Sequence, residues 1–193
     1  MDAAAPLVGP GAEFGTEIGG TLLVLGDYWQ PDRDERTDLG VLVYRAKDLH
    51  DEVAAEQLAE RFAELARCVP AIGGVPRLVV PVPSTPLPGG GSGPNLAASL
   101  AEALAAAGAG EYRPESVARS HPTPRLRDLD PDRRPEAAAA AGYRASRSAA
   151  GRHVVVVDDV ILTGSTLAAL AACLREAGAA SVTALVAART RRI

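Results

Sequence analysis

The stretch Val154-Val-Val-Val-Asp158-Asp159-Val160-Ile161-Leu162-Thr163-Gly164-Ser165-Thr166 decides the fold. His153 to Val157, aliphatic after its first residue, reads as a strand of the kind buried on both faces of a parallel sheet. Leu167, Leu170 and Leu174 then fall on one face of a helix that Gly178 ends. Ser181 to Ala188 is another strand, and the helical crossover between the two is long enough to return the chain to a parallel neighbour.

Working outward, Arg77 to Val82 is a short aliphatic strand that enters Pro83 and an irregular loop rich in Pro and Gly, reaching Pro94. Asn95 is placed to cap an alanine-rich helix through Ala107, with Leu96, Leu100 and Leu104 as its stripe and Gly108 as its end. Leu49 to Arg67 is helical in period, carrying Leu49, Val53, Leu58, Phe62 and Leu65, with Asp48 available as N-cap and Pro70 as a stop. Thr21 to Leu25 and Leu39 to Tyr44 suit two strands joined by a long polar loop, Gln30 to Asp38. The expected fold class is therefore α/β, a parallel central sheet flanked by helices. Residues 1–20, rich in Ala, Gly and Pro, are expected to be a flexible leader, and residues 21–193 a single domain. At 193 residues and 47% apolar, the chain suits one core.

Charge removes several classes of function. With 20 Lys and Arg against 24 Asp and Glu, the net charge of -4 has the wrong sign for direct nucleic-acid binding. Arg189, Arg191 and Arg192 are too few for a basic tail. No apolar run suits a signal peptide or a membrane span. Cys68 and Cys173 have no second Cys or His at metal-ligand spacing, so neither a zinc site nor a disulfide framework is expected, and a reducing cytoplasm is.

The chemistry concentrates where the strand from His153 hands over to its helix, because ligands of open α/β sheets bind at the carboxyl edge. Thr163, Gly164, Ser165 and Thr166 offer N–H groups and hydroxyls at a helix N-terminus, which favours a phosphate. Asp158 and Asp159 would repel that phosphate but suit vicinal hydroxyls or a hydrated Mg²⁺. Together they imply a ribose phosphate. A receiver-like acidic pocket is a rival, and it fails because too few residues follow Asp159.

From Val154 to Thr166 this pattern resembles the phosphoribosyl pyrophosphate (PRPP) signature of the type I phosphoribosyltransferase family. The resemblance implies that Asp158 and Asp159 hold the ribose hydroxyls and take part in catalysis, meeting metal only indirectly, while Thr163, Gly164, Ser165 and Thr166 bind the 5′-phosphate of PRPP. Residues 39 to 190 also resemble the ComF-like branch of that family. The landmarks are Tyr44-Arg-Ala-Lys47, Pro81-Val82-Pro83, Gly93, Asn95, Arg119, Thr123, Arg133-Arg134 and Tyr143. Many members of that branch begin with a four-cysteine zinc ribbon, and none is expected here. The resemblance makes Pro83, Ser84 and Thr85 part of a pyrophosphate loop, yet no positive charge lies from Ser84 to Ala109.

Lys47, Arg119, Arg125, Arg133 and Arg134 are candidates to supply that charge. Lys47 is the only lysine and matches a family position, so a catalytic role stands beside a plain solvated one. The stretch from Arg119 to Arg147, with seven Arg against four acids, reads either as a solvated hood or as an anion site. Tyr28 and Trp29 either stack on a base or pack. His50, His121 and His153 are too scattered to name a general base. The activity implied is a Mg²⁺-dependent transferase that passes or releases ribose 5-phosphate at C1, with a homodimer plausible. The alternative is a catalytically weak PRPP or nucleotide sensor, or an accessory of DNA uptake.

Overall fold

Alternation along the aliphatic runs builds a sheet with two different buried faces. In the computed structural model, which describes residues 21–68, 77–85, 95–121 and 129–190, the strands β1 (Thr21–Asp27), β2 (Arg77–Pro81), β3 (Glu111–Tyr112), β6 (His153–Ile161) and β7 (Ser181–Arg189) form one sheet. Their order is β1-β7-β6-β2-β3, and every neighbouring pair is parallel. Val79, Val155, Val157 and Leu185 face the helices α1 (Asp38–Asp48), α2 (Glu52–Glu64) and α3 (Leu96–Ala106). Leu78, Val80, Val154 and Val156 face α5 (Ser165–Glu176), through its Leu167, Leu170 and Leu174. A short α4 (Arg134–Ala139) and a separate antiparallel pair, β4 (Val117–Arg119) with β5 (Tyr143–Ala145), cover the α5 side. The chain is thus α/β with a parallel central sheet flanked by helices.

The connections leave β2 and β6 in opposite directions. From β2 the chain crosses through α3 to the edge strand β3, and from β6 it crosses through α5 to β7. The carboxyl ends of β2 and β6 therefore flank a topological switch point, the crevice where open α/β sheets take their ligands.

Several local expectations give way. Leu39 to Tyr44 is not a strand: it belongs to α1, because Leu39, Leu42, Val43 and Ala46 recur at steps of three and four, and Thr37 caps the helix by accepting the Gly40 N–H at 2.9 Å. The polar loop before it closes only one bridge, Trp29 to Arg36. Asp48 ends α1 rather than capping a helix from Leu49. His50, left-handed at φ 54°, separates the two helices, and Asp51 caps α2 by accepting the Ala54 N–H at 3.0 Å. A 3-10 turn, Leu65–Cys68, follows α2, and Pro70 lies outside the described residues. Asn95 stands at the N-cap of α3 without capping it, and its Nδ2 donates instead to the Val82 carbonyl at 3.1 Å. The leader 1–20 also lies outside the described residues.

His153 opens β6 fully buried, with Nδ1 2.5 Å from the Ser181 hydroxyl and Nε2 without a partner among the described residues. Burial, helped by the Arg77 charge, holds its pKa below the ordinary histidine value. The unfolded chain therefore takes up a proton below about pH 6.5 that the folded chain resists, so this contribution to stability is full above that pH and lost as pH falls. Urea unfolding at pH 7.5 and 5.5 is expected to show His153→Asn losing on the order of 1 kcal/mol less than the wild type over that interval. An identical loss in both proteins would contradict the burial of this ring.

Candidate functional site

β6 does not stop at Val157. Its last partner on the β2 side is Pro81, opposite Val157, with one further bond from the Val82 N–H to the Val157 carbonyl at 2.8 Å. Beyond that point β6 keeps only β7, pairing Asp158 with Val186, Val160 with Ala188 and Ile161 with Arg189. The two acids thus sit inside the strand, where one of its edges has lost its neighbour, not after its end. Their carboxylates take backbone donors there. Asp158 Oδ1 accepts the Asp159 N–H at 2.9 Å, and Asp159 Oδ1 accepts the Val160 N–H at 2.7 Å.

Lys47 arrives from the last turn of α1. Its Nζ lies 2.8 Å from Asp159 Oδ1, joining residues 112 positions apart. Asp159 is 9% exposed, so the lysine meets a nearly buried carboxylate. Burial pulls the Lys47 pKa down, but the Asp159 charge and hydrogen bond, with help from Asp158 and Asp48, outweigh it and leave it above the usual lysine value. Lys47 is cationic at neutral pH as a result. For Asp158, burial first and the neighbouring Asp159 charge second push the pKa up to about 8, against the pull of Lys47. Burial and its neighbour thus favour the protonated form of Asp158, beside the Asp159 carboxyl that meets Lys47.

The turn after β6 carries Gly164 in the left-handed region, at φ 79° and ψ 0°, as the N-cap of α5. An L side chain is strained there, and its absence leaves the first N–H groups of α5 accessible to an anion. The Gly164 carbonyl accepts the Ala168 N–H at 2.8 Å, and the Thr163 and Ser165 hydroxyls meet at 3.0 Å. Thr163 to Thr166 thus stand together at the carboxyl end of β6. Across the crevice, Pro83 and Ser84 are half-buried and Thr85 exposed just beyond β2. No cis peptide occurs among the described residues, Val82-Pro83 included.

One residue at the site, Tyr143, is marked in the sequence only as a landmark of the resemblance, with no role attached. The phenol pKa of Tyr143 in β5 is raised first by burial and by Asp158, with Arg119 and the Thr166 side chain opposing. Arg119 stands directly opposite Tyr143 in the β4–β5 register, and its Nε donates to the His121 carbonyl at 3.1 Å. The sequence marks both only by order along the chain. Of the other candidate cations, Arg133 is exposed and Arg125 lies outside the described residues, as do Thr123 and the loop 86–94.

Among the described residues no group of three or more His, Cys, Asp or Glu side chains is arranged to hold a metal ion. Two adjacent carboxyl groups, one on a lysine and the other raised in pKa, would meet a Mg²⁺ only if it arrived with phosphate oxygens, not as one caged by protein. No helix among the described residues is long and apolar enough to cross a membrane.

A wholly parallel sheet with an acid pair and a glycine-turned helix N-terminus at its switch point defines an α/β protein built around a carboxyl-edge crevice. A model of the phosphoribosyl transferase domain matches residues 46–192, most of the chain and all of that crevice, and the chain belongs to this family. No curated protein matches it significantly.

Proposed function

We propose that the protein is a phosphoribosyltransferase that binds PRPP with Mg²⁺ and passes or releases ribose 5-phosphate at C1. The observation that carries this reading is the meeting of Asp158 and Asp159 with the Thr163–Thr166 turn on one edge of a phosphoribosyl transferase domain. The N–H groups and hydroxyls of Thr163 to Thr166 hold the 5′-phosphate. Asp158 and Asp159 receive the ribose hydroxyls, and Lys47 holds the Asp159 carboxyl in place. Backbone N–H groups of Ser84 and Thr85 face the pyrophosphate. Mg²⁺ bound with the substrate would supply charge neutralisation at the leaving pyrophosphate. An acceptor nitrogen or water gives its lone pair to C1 as the C1–O bond breaks. The bonding pair leaves with pyrophosphate, and the acceptor's proton passes to solvent. At finer grain, the order of the landmarks from Tyr44 to Thr166 supports membership of the ComF-like branch and a cytoplasmic place of action.

A second reading is a PRPP or nucleotide sensor with little turnover, or an accessory of DNA uptake. It is favoured by Lys47, whose ammonium lies on Asp159 at 2.8 Å instead of reaching toward Ser84. Lys47→Ala separates the two, since it abolishes turnover in an enzyme and leaves nucleotide binding in a sensor.

Thermal unfolding with PRPP and Mg²⁺ tests the shared core of both readings. At ligand about a hundredfold above Kd, linkage predicts ~2.7 kcal/mol of stabilisation, roughly 5 to 10 °C. The shift is expected to vanish in Thr166→Val, which removes a hydroxyl proposed to hold the phosphate. No shift with PRPP, ribose 5-phosphate or nucleoside monophosphates would overturn both readings.

A further inference from the structure

The turn between β1 and α1 is built around Arg36. Its guanidinium carbon lies 4.1 Å from the centre of the Tyr44 ring, 5.1 Å from Trp29 and 5.6 Å from Tyr28, all within cation–π range. Its Nε donates to the Tyr28 hydroxyl at 3.1 Å, and Tyr28 meets Trp29 edge to face at 5.3 Å. This cage is firmly tied to the sheet. Trp29 Nε1 donates to Thr190 Oγ1 at 3.0 Å, and the Tyr28 N–H donates to the Arg189 carbonyl at 2.8 Å. The Tyr28 carbonyl also accepts the Thr37 N–H at 3.1 Å, where α1 begins.

Three observations set this arginine apart from a surface ion pair. Asp27, Asp32, Asp34, Glu35 and Asp38 are all exposed within the same segment, yet the ion pair formed there is Arg33 with Glu35. No carboxylate among the described residues pairs with Arg36, and neither Nη has a protein acceptor among them. The cage also stands on the carboxyl edge: Tyr44 is one helical turn from Lys47, which holds Asp159, and β1 lies two strands from β6, about 10 Å away. Lastly, the family match begins at residue 46, so Arg36 and the three rings around it lie outside the matched residues, beside the crevice.

We propose that Arg36 is an oxyanion subsite for the acceptor, so that the acceptor is a flat aromatic or heteroaromatic carboxylic acid. Its carboxylate takes the two Nη groups of Arg36 while its ring lies against the cage. A guanidinium already stacked on rings presents a fixed fork that matches a carboxylate, and it loses little freedom on binding. This inference rests on the phosphoribosyl-transfer reading, and its test is kept separate from that reading.

Trp29 is the only tryptophan, so its fluorescence reads the cage directly. In the full chain, with and without PRPP and Mg²⁺, benzoate is expected to change Trp29 emission saturably and to bind about tenfold more tightly than the neutral isostere benzamide. Arg36→Gln is expected to abolish that preference and Arg36→Lys to weaken it, since lysine keeps the charge without the fork. The PRPP thermal shift is expected to survive in both variants. Equal binding of benzoate and benzamide to the wild type, or no response to either, overturns the subsite whatever PRPP does. Should the variants fail to fold, the wild-type preference decides alone, while a missing PRPP shift sinks the underlying reading independently.

Discussion

Asp158→Asn is expected to make the protein more stable, and increasingly so as pH rises. Burial and the Asp159 charge hold the folded Asp158 pKa at about 8, whereas the unfolded carboxyl titrates near its ordinary value of about 3.9. Between those values the folded chain keeps a proton that the unfolded chain has released, so folding weakens as pH climbs through the window and stays weakened above it. Asparagine removes this penalty, and its carbonyl still accepts the Asp159 N–H that Asp158 Oδ1 accepts at 2.9 Å. The gain is expected to be small near pH 5 and to reach on the order of 2 kcal/mol at pH 8 and above, roughly 4 to 8 °C in Tm. Calorimetry of both proteins from pH 5 to 9 measures it. A difference independent of pH, or a less stable variant at pH 9, would show that the folded Asp158 carboxyl is not held above its ordinary pKa. The same substitution is expected to abolish the PRPP shift, which makes this acid a group that costs stability and serves the ligand.

Gly40→Ala is expected to be among the most damaging of conservative changes. By helix propensity alone, alanine inside α1 would stabilise by about 1 kcal/mol. The tertiary contact reverses the sign. A Cβ on residue 40 would stand 1.9 Å from the Tyr28 carbonyl oxygen and 2.8 Å from its carbon, both backbone atoms that cannot swing away. The helix and the β1 turn must separate, breaking the seat in which Thr37 accepts the Gly40 N–H and donates to the Asp27 carbonyl at 2.6 Å. Overpacking of this kind is expected to cost about 3 kcal/mol, a fall in Tm of roughly 6 to 12 °C. Trp29 emission is expected to change with it, because α1 carries Tyr44 against Arg36. Gly108→Ala is the control: its Cβ meets nothing within 4 Å, and only the positive φ of 91° opposes it. A Gly40→Ala protein as stable as the wild type would contradict this packing.

What the sequence by itself determined is what short-range physics encodes. The aliphatic run from Val154, the stripe of Leu167, Leu170 and Leu174, and the glycines at 164 and 178 specify a buried strand, a glycine-turned helix start and a helix end within a few residues. Hence the parallel sheet and the Thr163 to Thr166 turn were legible, whereas the strand read as ending at Val157 runs on through both acids to Ile161. The run Leu39 to Tyr44 was not, because six apolar or small residues satisfy both periods, and only the Thr37 cap and the burial of Leu42, Val43 and Ala46 against the sheet select the helix. The tertiary structure alone decided which distant groups meet. Lys47 reaches Asp159, Tyr143 comes opposite Arg119, and three rings from two elements close around Arg36. Those contacts follow from strand order and register, which place α1, the β1 turn and β5 around the end of β6, and no local pattern in the chain encodes that placement.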